Sequence, residues 1–287
     1  MKTLDRISED WVLATEIHKL ESRLWRSTRK EGIKIVLVSS PNRGEGKSTT
    51  VAYLASALAL HPERRILAAD FDFRDPQLNA HFEVPVERTL GDAIGGECRL
   101  QDAILKTELP SLDLALPNQK GEDPGLLLRT RECSLTIEYF REHYDLVLID
   151  VPALLPVADA AVLLPFVDGV ILVTMAGRTT KPALRRAREI CLGMGVRILG
   201  LVVGNLKEAL PEHGGGRYYE YYKRKKEKGE GSSEGDAGGD RQARFRPEGA
   251  AGQSGDASWG PKLGGRGKRG KKPIAVTRNL DRLAGSQ

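Results

Sequence analysis

The residues best suited to chemistry lie in one short segment, residues 39–49, which reads Ser-Ser-Pro-Asn-Arg-Gly-Glu-Gly-Lys-Ser-Thr. It follows an apolar run, 33–38, and precedes an alanine-rich stretch that predicts a helix. Backbone N–H groups of such a turn, and the positive end of the helix after it, bind phosphate. Lys47 adds a positive charge for the β- and γ-phosphates, and Ser48 offers a hydroxyl to Mg²⁺. The segment therefore predicts a nucleotide site with contacts from Arg43, Gly44, Glu45, Gly46, Lys47, Ser48 and Thr49. The alternative is a loop that contains Gly-Lys-Ser by chance.

Carboxylates end two of the predicted strands. The strand at 65–69 is followed by Asp70 and Asp72, which alternation places on one side of an extended chain. The apolar strand at 146–149 ends in Asp150, a position from which a carboxylate holds Mg²⁺ directly or through water. Three carboxylates and a lysine around a nucleotide predict phosphoryl transfer by positioning and charge. The alternative for Asp70 and Asp72 is a pair of surface carboxylates in a turn.

An alternation of strands and helices must position these residues. Fully apolar strands separated by helices predict a doubly wound, mostly parallel α/β fold with phosphates at the carboxyl ends of the strands. Asn205 follows the last such strand, where its amide could bind the adenine edge or simply occupy a turn. Strands are predicted at 34–39, 65–69, 112–116, 146–149, 169–174 and 198–203, and helices at 47–60, 124–143 and 181–192.

An amphipathic helix is predicted in residues 10–30, because apolar side chains recur there at helical intervals. Such a helix could pack on the flank of its own domain, or it could contact another subunit or an adaptor. Its apolar positions are Trp11, Leu13, Ile17, Leu20, Leu24 and Trp25.

Charge is distributed unevenly along the 287 residues. Residues 223–287 hold 16 Lys and Arg against 8 Asp and Glu, whereas residues 1–222 hold 28 against 31. The basic region has 14 of the 31 glycines and few apolar residues, so we expect a disordered tail with a short ordered piece near 274–283. No apolar run is long enough to span a bilayer, and residues 1–10 lack the apolar core of a leader. We therefore expect a cytoplasmic protein.

A tyrosine cluster precedes the tail. Four of the seven tyrosines fall within five positions, followed by a basic run at 223–228. A core role for all four is awkward, since no predicted strand or helix follows to pack them. Aromatic contact with an adaptor or a membrane surface is one interpretation of the cluster. The cluster consists of Tyr218, Tyr219, Tyr221 and Tyr222.

In combination, these motifs resemble those of the bacterial tyrosine kinases of capsule and exopolysaccharide synthesis, of the separate cytoplasmic type, within the MinD/ParA-like P-loop ATPases. The similarity covers roughly residues 12–225. The family's phosphate loop matches 39–48, and segments at 89–94 and 123–127 resemble two further family motifs. The family's Walker A′ and Walker B motifs are matched by Asp70, Asp72, Arg74 and Pro76, and by Ile149, Asp150 and Pro152.

The resemblance implies ATP and Mg²⁺ as cofactors. By this resemblance, Lys47 contacts the phosphates, while Ser48, Asp72 and Asp150 hold the metal. Asp70 is the candidate base for the tyrosine hydroxyl, and Arg74 offsets phosphoryl charge or accepts the incoming tail. The family also implies that the tyrosine cluster is phosphorylated in trans between neighbouring subunits of a ring.

Partners and location follow from the same resemblance. It implies a membrane-embedded polysaccharide co-polymerase or adaptor with a cytoplasmic activating segment, a homo-oligomer and a cognate tyrosine phosphatase. No specific nucleic acid is expected. The protein would lie at the inner face of the cell membrane through its adaptor. The implied regions are an N-terminal helix region at 1–31, an ATP-binding kinase domain at 32–216, the cluster and basic run at 217–228, and the tail at 229–287.

Some positions depart from the family pattern. Pro41 replaces the first glycine of the loop, Arg43 replaces a common proline, and Ala153 replaces the second proline of Walker B. The family's oligomerisation helix carries Glu-x-x-Arg-x-x-Arg, but here Leu20 stands at the glutamate position and Glu21 is displaced by one.

Two other functions remain open. One is a MinD/ParA-like switch ATPase, although Asn42 stands where that class carries an early lysine. The other is a non-catalytic nucleotide-binding regulator of polysaccharide assembly that presents its basic tail.

Overall fold

A mostly parallel sheet forms the centre of the computed structural model, which describes residues 11–117, 124–205 and 274–277. The strand order is β3-β4-β2-β5-β1-β6-β7-β8, with β3 and β8 as antiparallel edges. The predicted doubly wound α/β fold is confirmed. The strands are β1 Ile35–Ser39, β2 Ile66–Asp70, β3 Ile104–Lys106, β4 Leu112–Ala115, β5 Leu146–Asp150, β6 Gly169–Met175, β7 Ile198–Gly204 and β8 Ile274–Thr277.

The central strands are apolar and fully buried because helices cover both faces of the sheet. One face packs against α1 and α2, and the other against α4, α6, α7 and α8. Two 3₁₀ turns, at Leu100–Ala103 and Leu164–Phe166, complete the described elements. The helices are α1 Trp11–Glu31, α2 Lys47–Leu58, α3 Leu78–Phe82, α4 Leu90–Ile94, α5 Pro124–Leu127, α6 Arg131–His143, α7 Asp159–Leu163 and α8 Lys181–Gly193.

Strand register aligns the ends of three neighbouring strands. Asp70, the last residue of β2, pairs with Asp150, the last residue of β5. On its other side Asp150 pairs with Val38 of β1, directly before the glycine segment. Parallel strands therefore bring the predicted carboxylates and the phosphate loop to one edge of the sheet.

The single helix predicted at 124–143 is wrong, because the chain forms α5 and α6 with a break at 128–130. Thr130 caps the N-terminus of α6. It has an extended backbone, and its hydroxyl accepts a hydrogen bond from the Cys133 N–H at 3.1 Å. Such a side chain satisfies an amide that the helix leaves unpaired.

β8 lies inside the predicted ordered piece at 274–283.

Helix α1 packs on the flank of its own domain. Leu13, Ile17, Leu20 and Leu24 are buried in the cluster that includes α2, as the amphipathic pattern predicted. Glu21 is also buried, and it pairs with buried Arg64 in the same chain. None of the helices in the described ranges is long and apolar enough to cross a membrane.

Candidate phosphoryl-transfer site

The glycine segment forms a turn that opens toward the start of α2. Gly44 and Gly46 have φ values of +74° and +94°, a region that disfavours residues with a Cβ. Lys47 begins the helix, and Gly46 precedes it without a side-chain cap. The first N–H groups of α2 are therefore not capped by the Gly46 position, and phosphate is a suitable acceptor for them.

Four predicted site residues lie together at the end of the sheet. Lys47 Nζ is 3.9 Å from Asp72 Oδ2, and both side chains are about nine-tenths buried. Asp70 and Asp150 are fully buried beside them. The surface-turn alternative for Asp70 and Asp72 is therefore wrong. Within the described residues, both carboxylate oxygens of Asp150 are buried without a hydrogen-bond partner.

Burial raises the pKa of the Asp150 carboxyl, and the charge of Asp72 raises it further. The positive charge of Lys47 opposes this rise, as does the Ser48 hydroxyl, which lies near without reaching hydrogen-bond geometry. Burial and the charge of Asp150 also raise the pKa of Asp70. Buried, closely spaced carboxylates need a cation to remain ionised together. Mg²⁺ prefers oxygen ligands and uses one or two carboxylates besides phosphate, so Asp150, Asp72 and Ser48 fit it.

Asp70 also organises the loop that follows β2. Its Oδ1 accepts the Asp72 N–H at 2.9 Å, and its Oδ2 accepts the N–H groups of Gln77 and Leu78, each at 3.1 Å. This carboxylate therefore holds residues 71–78 in place. Its role as a base for the tyrosine hydroxyl stays a prediction.

Two arginines predicted at the site lie in ion pairs. Arg74 donates to Asp159 through two bonds, Nε to Oδ2 at 2.5 Å and Nη2 to Oδ1 at 3.1 Å. This pair directs the guanidinium of Arg74 toward α7. Arg43 is exposed and pairs with Asp75 at 2.7 Å, which joins the phosphate loop to the loop after β2.

A buried network that sequence reasoning missed supports the phosphate loop from within. The carboxylate of Glu45 accepts the Asn42 N–H at 2.9 Å, the Asn42 side-chain amide at 3.1 Å and the Thr179 hydroxyl at 2.6 Å. Arg178 donates to the Gly44 carbonyl at 3.2 Å. The side chain of Glu45 is thus a loop support. No sequence signal marks Thr179, which lies 134 residues from Glu45.

We expect Thr179→Val to weaken the binding of Mg·ATP about tenfold, because a hydrogen bond to a charged group contributes about 1.5 kcal/mol or more. Isothermal titration with ATP measures this loss. Thr180→Val is the matched control: Thr180 caps α8 through the Ala183 N–H, so its loss lowers stability without touching the loop. Equal nucleotide affinities for the two variants would contradict the supporting role of Thr179.

Two remaining predicted nucleotide contacts, Asn205 and Thr49, lie near other groups of the protein. Asn205 has a left-handed backbone with φ +61°, donates to the Ala176 carbonyl at 3.3 Å and keeps its buried Oδ1 without a partner in the described ranges. Thr49 Oγ1 lies 3.4 Å from Nε2 of His81. The tyrosines at 218–222 lie outside the described residues.

A glycine loop at a helix start, beside carboxylates at the ends of adjacent parallel strands, defines a P-loop ATPase. Residues 33–180 match a family described as an AAA domain. The chain is 30% identical over 182 residues to the tyrosine-protein kinase CpsD of Streptococcus agalactiae, covering 63% of this chain and 79% of that protein.

Solved structures of a tyrosine kinase domain and of a MinD protein are also similar to this chain. The kinase domain of the Escherichia coli tyrosine kinase ETK matches with a TM-score of 0.62 and 25% identity, over 65% of this chain and 73% of that one. The septum site-determining protein MinD of Pyrococcus horikoshii, solved with Mg-ADP, matches with a TM-score of 0.53 and 27% identity, over 58% and 68%. This chain belongs to the bacterial tyrosine-kinase family of capsule and exopolysaccharide biosynthesis, within the AAA-domain P-loop ATPases.

Proposed function

We propose that this chain is an ATP-dependent protein-tyrosine kinase that phosphorylates its own tyrosine cluster, Tyr218, Tyr219, Tyr221 and Tyr222, in trans. The phosphorylation would regulate the synthesis and export of a capsular or extracellular polysaccharide. The observation that carries the proposal is the unpartnered, buried carboxylate of Asp150 among Asp70, Asp72 and Lys47. That charge arrangement suits Mg·ATP better than any structural role.

The residues act by position and charge. Lys47 and the first N–H groups of α2 bind the β- and γ-phosphates, and Asn205 accepts from the adenine amino group through its free Oδ1. Ser48, Asp72 and Asp150 would hold Mg²⁺, which would neutralise charge that develops on the transferred phosphoryl group. A tyrosine hydroxyl has a pKa of about 10, so a nearby carboxylate such as Asp70 assists its deprotonation.

The surroundings of Asn42 favour a kinase over a switch ATPase. Its N–H and its side-chain amide both bind Glu45 inside the same loop. Asn42 is thus a part of the loop's own support, and it carries no positive charge at the position where the switch class typically has a lysine. The third possibility, a nucleotide-binding regulator without catalysis, would use Asp150 for Mg²⁺ as a kinase does, so only an assay of phosphorylation separates the two.

The partners are part of the proposal. A membrane-embedded co-polymerase or adaptor supplies a cytoplasmic segment that activates the kinase and holds it at the inner face of the membrane. The kinase assembles as a homo-oligomer so that one subunit presents its tyrosines to the next. A cognate tyrosine phosphatase reverses the reaction.

The test is incubation of the purified full chain with ATP and Mg²⁺, alone and with the cytoplasmic segment of a candidate adaptor. Mass spectrometry then maps the phosphorylated residues. We expect phosphate on the tyrosines at 218–222, and none in a Lys47→Met protein prepared in parallel, which excludes a contaminating kinase. ATP turnover without tyrosine label would favour the switch ATPase, and neither activity would favour the regulator.

A further inference from the structure

Helix α8 carries a basic stripe along its solvent side. Lys181, Arg185, Arg188 and Leu192 follow one another at intervals of four, three and four residues, which places them on one face of the helix. Lys181 and Arg185 are exposed, and Arg188 is half-buried. The opposite side packs into the core through Ala187 and Cys191. The stripe therefore points away from the sheet.

The stripe lies in the most basic segment of an acidic body. Residues 178–197 contain six Lys and Arg and one Glu, whereas residues 1–222 have three more acidic than basic side chains. Arg178 and Arg197 have partners in the Gly44 carbonyl and Glu31. The other four form no ion pair within the part of the chain that the structure describes: Lys181, Arg185, Arg186 and Arg188.

These charges do not serve the stability of α8. A helix has a partial positive charge at its N-terminus, so acidic side chains are favoured there and basic ones at the C-terminus. In α8 the arrangement is reversed: Lys181 is the first residue, the first turn has no acidic side chain, and the last turn has no basic one. A partner outside the domain is the better explanation for this charge.

Two large apolar side chains end the same helix. Leu192 and Met194 are each 46% exposed, and glycines at 193 and 195 flank Met194. Burying an exposed leucine or methionine side chain away from water lowers the free energy. Leu192 lies on the stripe, and we call these residues the α8 basic face: Lys181, Arg185, Arg188 and Leu192.

We propose that the α8 basic face binds an anionic lipid bilayer directly, with its cations among the headgroups and with Leu192 in the interface. Basic residues beside exposed apolar ones are the usual composition of surfaces that lie on membranes. The chain's own segment 223–287 does not suit this face, because it has net positive charge itself. The proposal does not depend on kinase activity. It gives this chain a direct contact with lipid besides the proposed contact with the adaptor.

Flotation of the full-length protein with vesicles, without nucleotide or adaptor, tests the proposal. The vesicles contain about 30% phosphatidylglycerol in phosphatidylcholine, or phosphatidylcholine alone. We expect binding to the anionic vesicles only. Each cation near the surface strengthens binding about fivefold, so Arg185→Ala/Arg188→Ala should weaken it about 25-fold at low salt. Leu192→Ser should weaken binding at low and high salt alike, because salt does not screen apolar contact.

The matched control is Arg129→Ala/Arg131→Ala, which removes two exposed arginines elsewhere on the body. This control should leave vesicle binding within about twofold of wild type, since only charges near the surface contribute. Equal losses in the two double variants would show that net charge or the basic tail binds lipid, and would overturn the proposal. So would a wild-type protein that does not float.

Size-exclusion chromatography and thermal melting of each variant complete the test. We expect unchanged oligomer size and an unchanged melting temperature in Arg185→Ala/Arg188→Ala. An oligomer that dissociates in this variant would identify a second copy of the chain as the partner of the face, and would overturn the lipid proposal.

Discussion

Asp150→Asn is expected to lower the rate of tyrosine phosphorylation about 10²–10³-fold, the usual cost of losing one electrostatic contact at such a site. The same change is expected to raise the melting temperature of the nucleotide-free protein. Asp150 is fully buried, lacks a hydrogen-bond partner in the described residues and lies opposite Asp70 in the register of β2 and β5. An amide removes the uncompensated charge, while the metal loses a ligand.

Calorimetry with and without Mg·ADP measures the second effect. Wild type should gain stability from Mg·ADP, whereas Asp150→Asn should gain little. The pKa of Asp150 is raised in the folded protein, so its contribution to stability is present below the unfolded pKa of about 3.9 and is lost as pH rises through the folded value. The nucleotide-free wild type should therefore lose stability with rising pH more steeply than the variant.

The matched control for this prediction is Asp145→Asn. Asp145 lies just before β5, at the end of the strand away from the site, and pairs with exposed Arg65 at 3.1 Å. Its replacement should leave the rate and the response to Mg·ADP within about twofold, since an exposed ion pair contributes little. An Asp150→Asn protein that keeps wild-type activity would refute the proposed metal role.

Glu21→Ala is expected to lower the free energy of unfolding by about 3–5 kcal/mol, because it leaves the buried Arg64 with only the exposed carboxylate of Glu63, 3.9 Å away. Glu21 and Arg64 have side-chain exposures of 5% and 6%. The Arg64 guanidinium also lies 4.1 Å from the ring centre of Trp25, so it cannot turn to solvent without losing this contact. Urea unfolding followed by circular dichroism measures the change.

Two further variants define the cause of that change. Glu31→Ala is the matched control on the same helix: Glu31 pairs with Arg197 at 2.6 Å, but both side chains are exposed, so we expect about 1 kcal/mol or less. Glu21→Leu/Arg64→Leu should recover most of the stability, since apolar pairs often replace buried ion pairs at no cost. A loss of under about 1 kcal/mol in Glu21→Ala would contradict the buried pair.

The same pair bears on assembly. Glu21 is the acidic residue nearest to the family's oligomerisation position, yet its carboxylate binds Arg64 of its own chain. Leu20, at that position, is buried against the domain. Arg23 and Arg26 remain exposed. A homo-oligomer of this chain would therefore need contacts other than one from Glu21.

Local sequence patterns predicted most of the strands and helices. Fully apolar runs such as β5 predicted buried parallel strands, helical spacing predicted α1, and α8 was predicted between two such strands. The break between α5 and α6 was missed, because Thr130 reads equally well as a helical residue until its hydroxyl is seen to cap Cys133. β3 was missed because three residues hold too little periodicity to distinguish a strand.

The sequence by itself determined which residues would meet at the sheet edge, because each of them follows a strand or begins a helix: Lys47, Ser48, Asp70, Asp72 and Asp150. Side-chain partners distant in sequence were decided only by the tertiary structure. Glu45 reads as a nucleotide contact until Thr179 is found on its carboxylate, and Arg74 reads as a phosphoryl contact until Asp159 is found beside it. Strand order sets which loops meet, and no local pattern encodes that order.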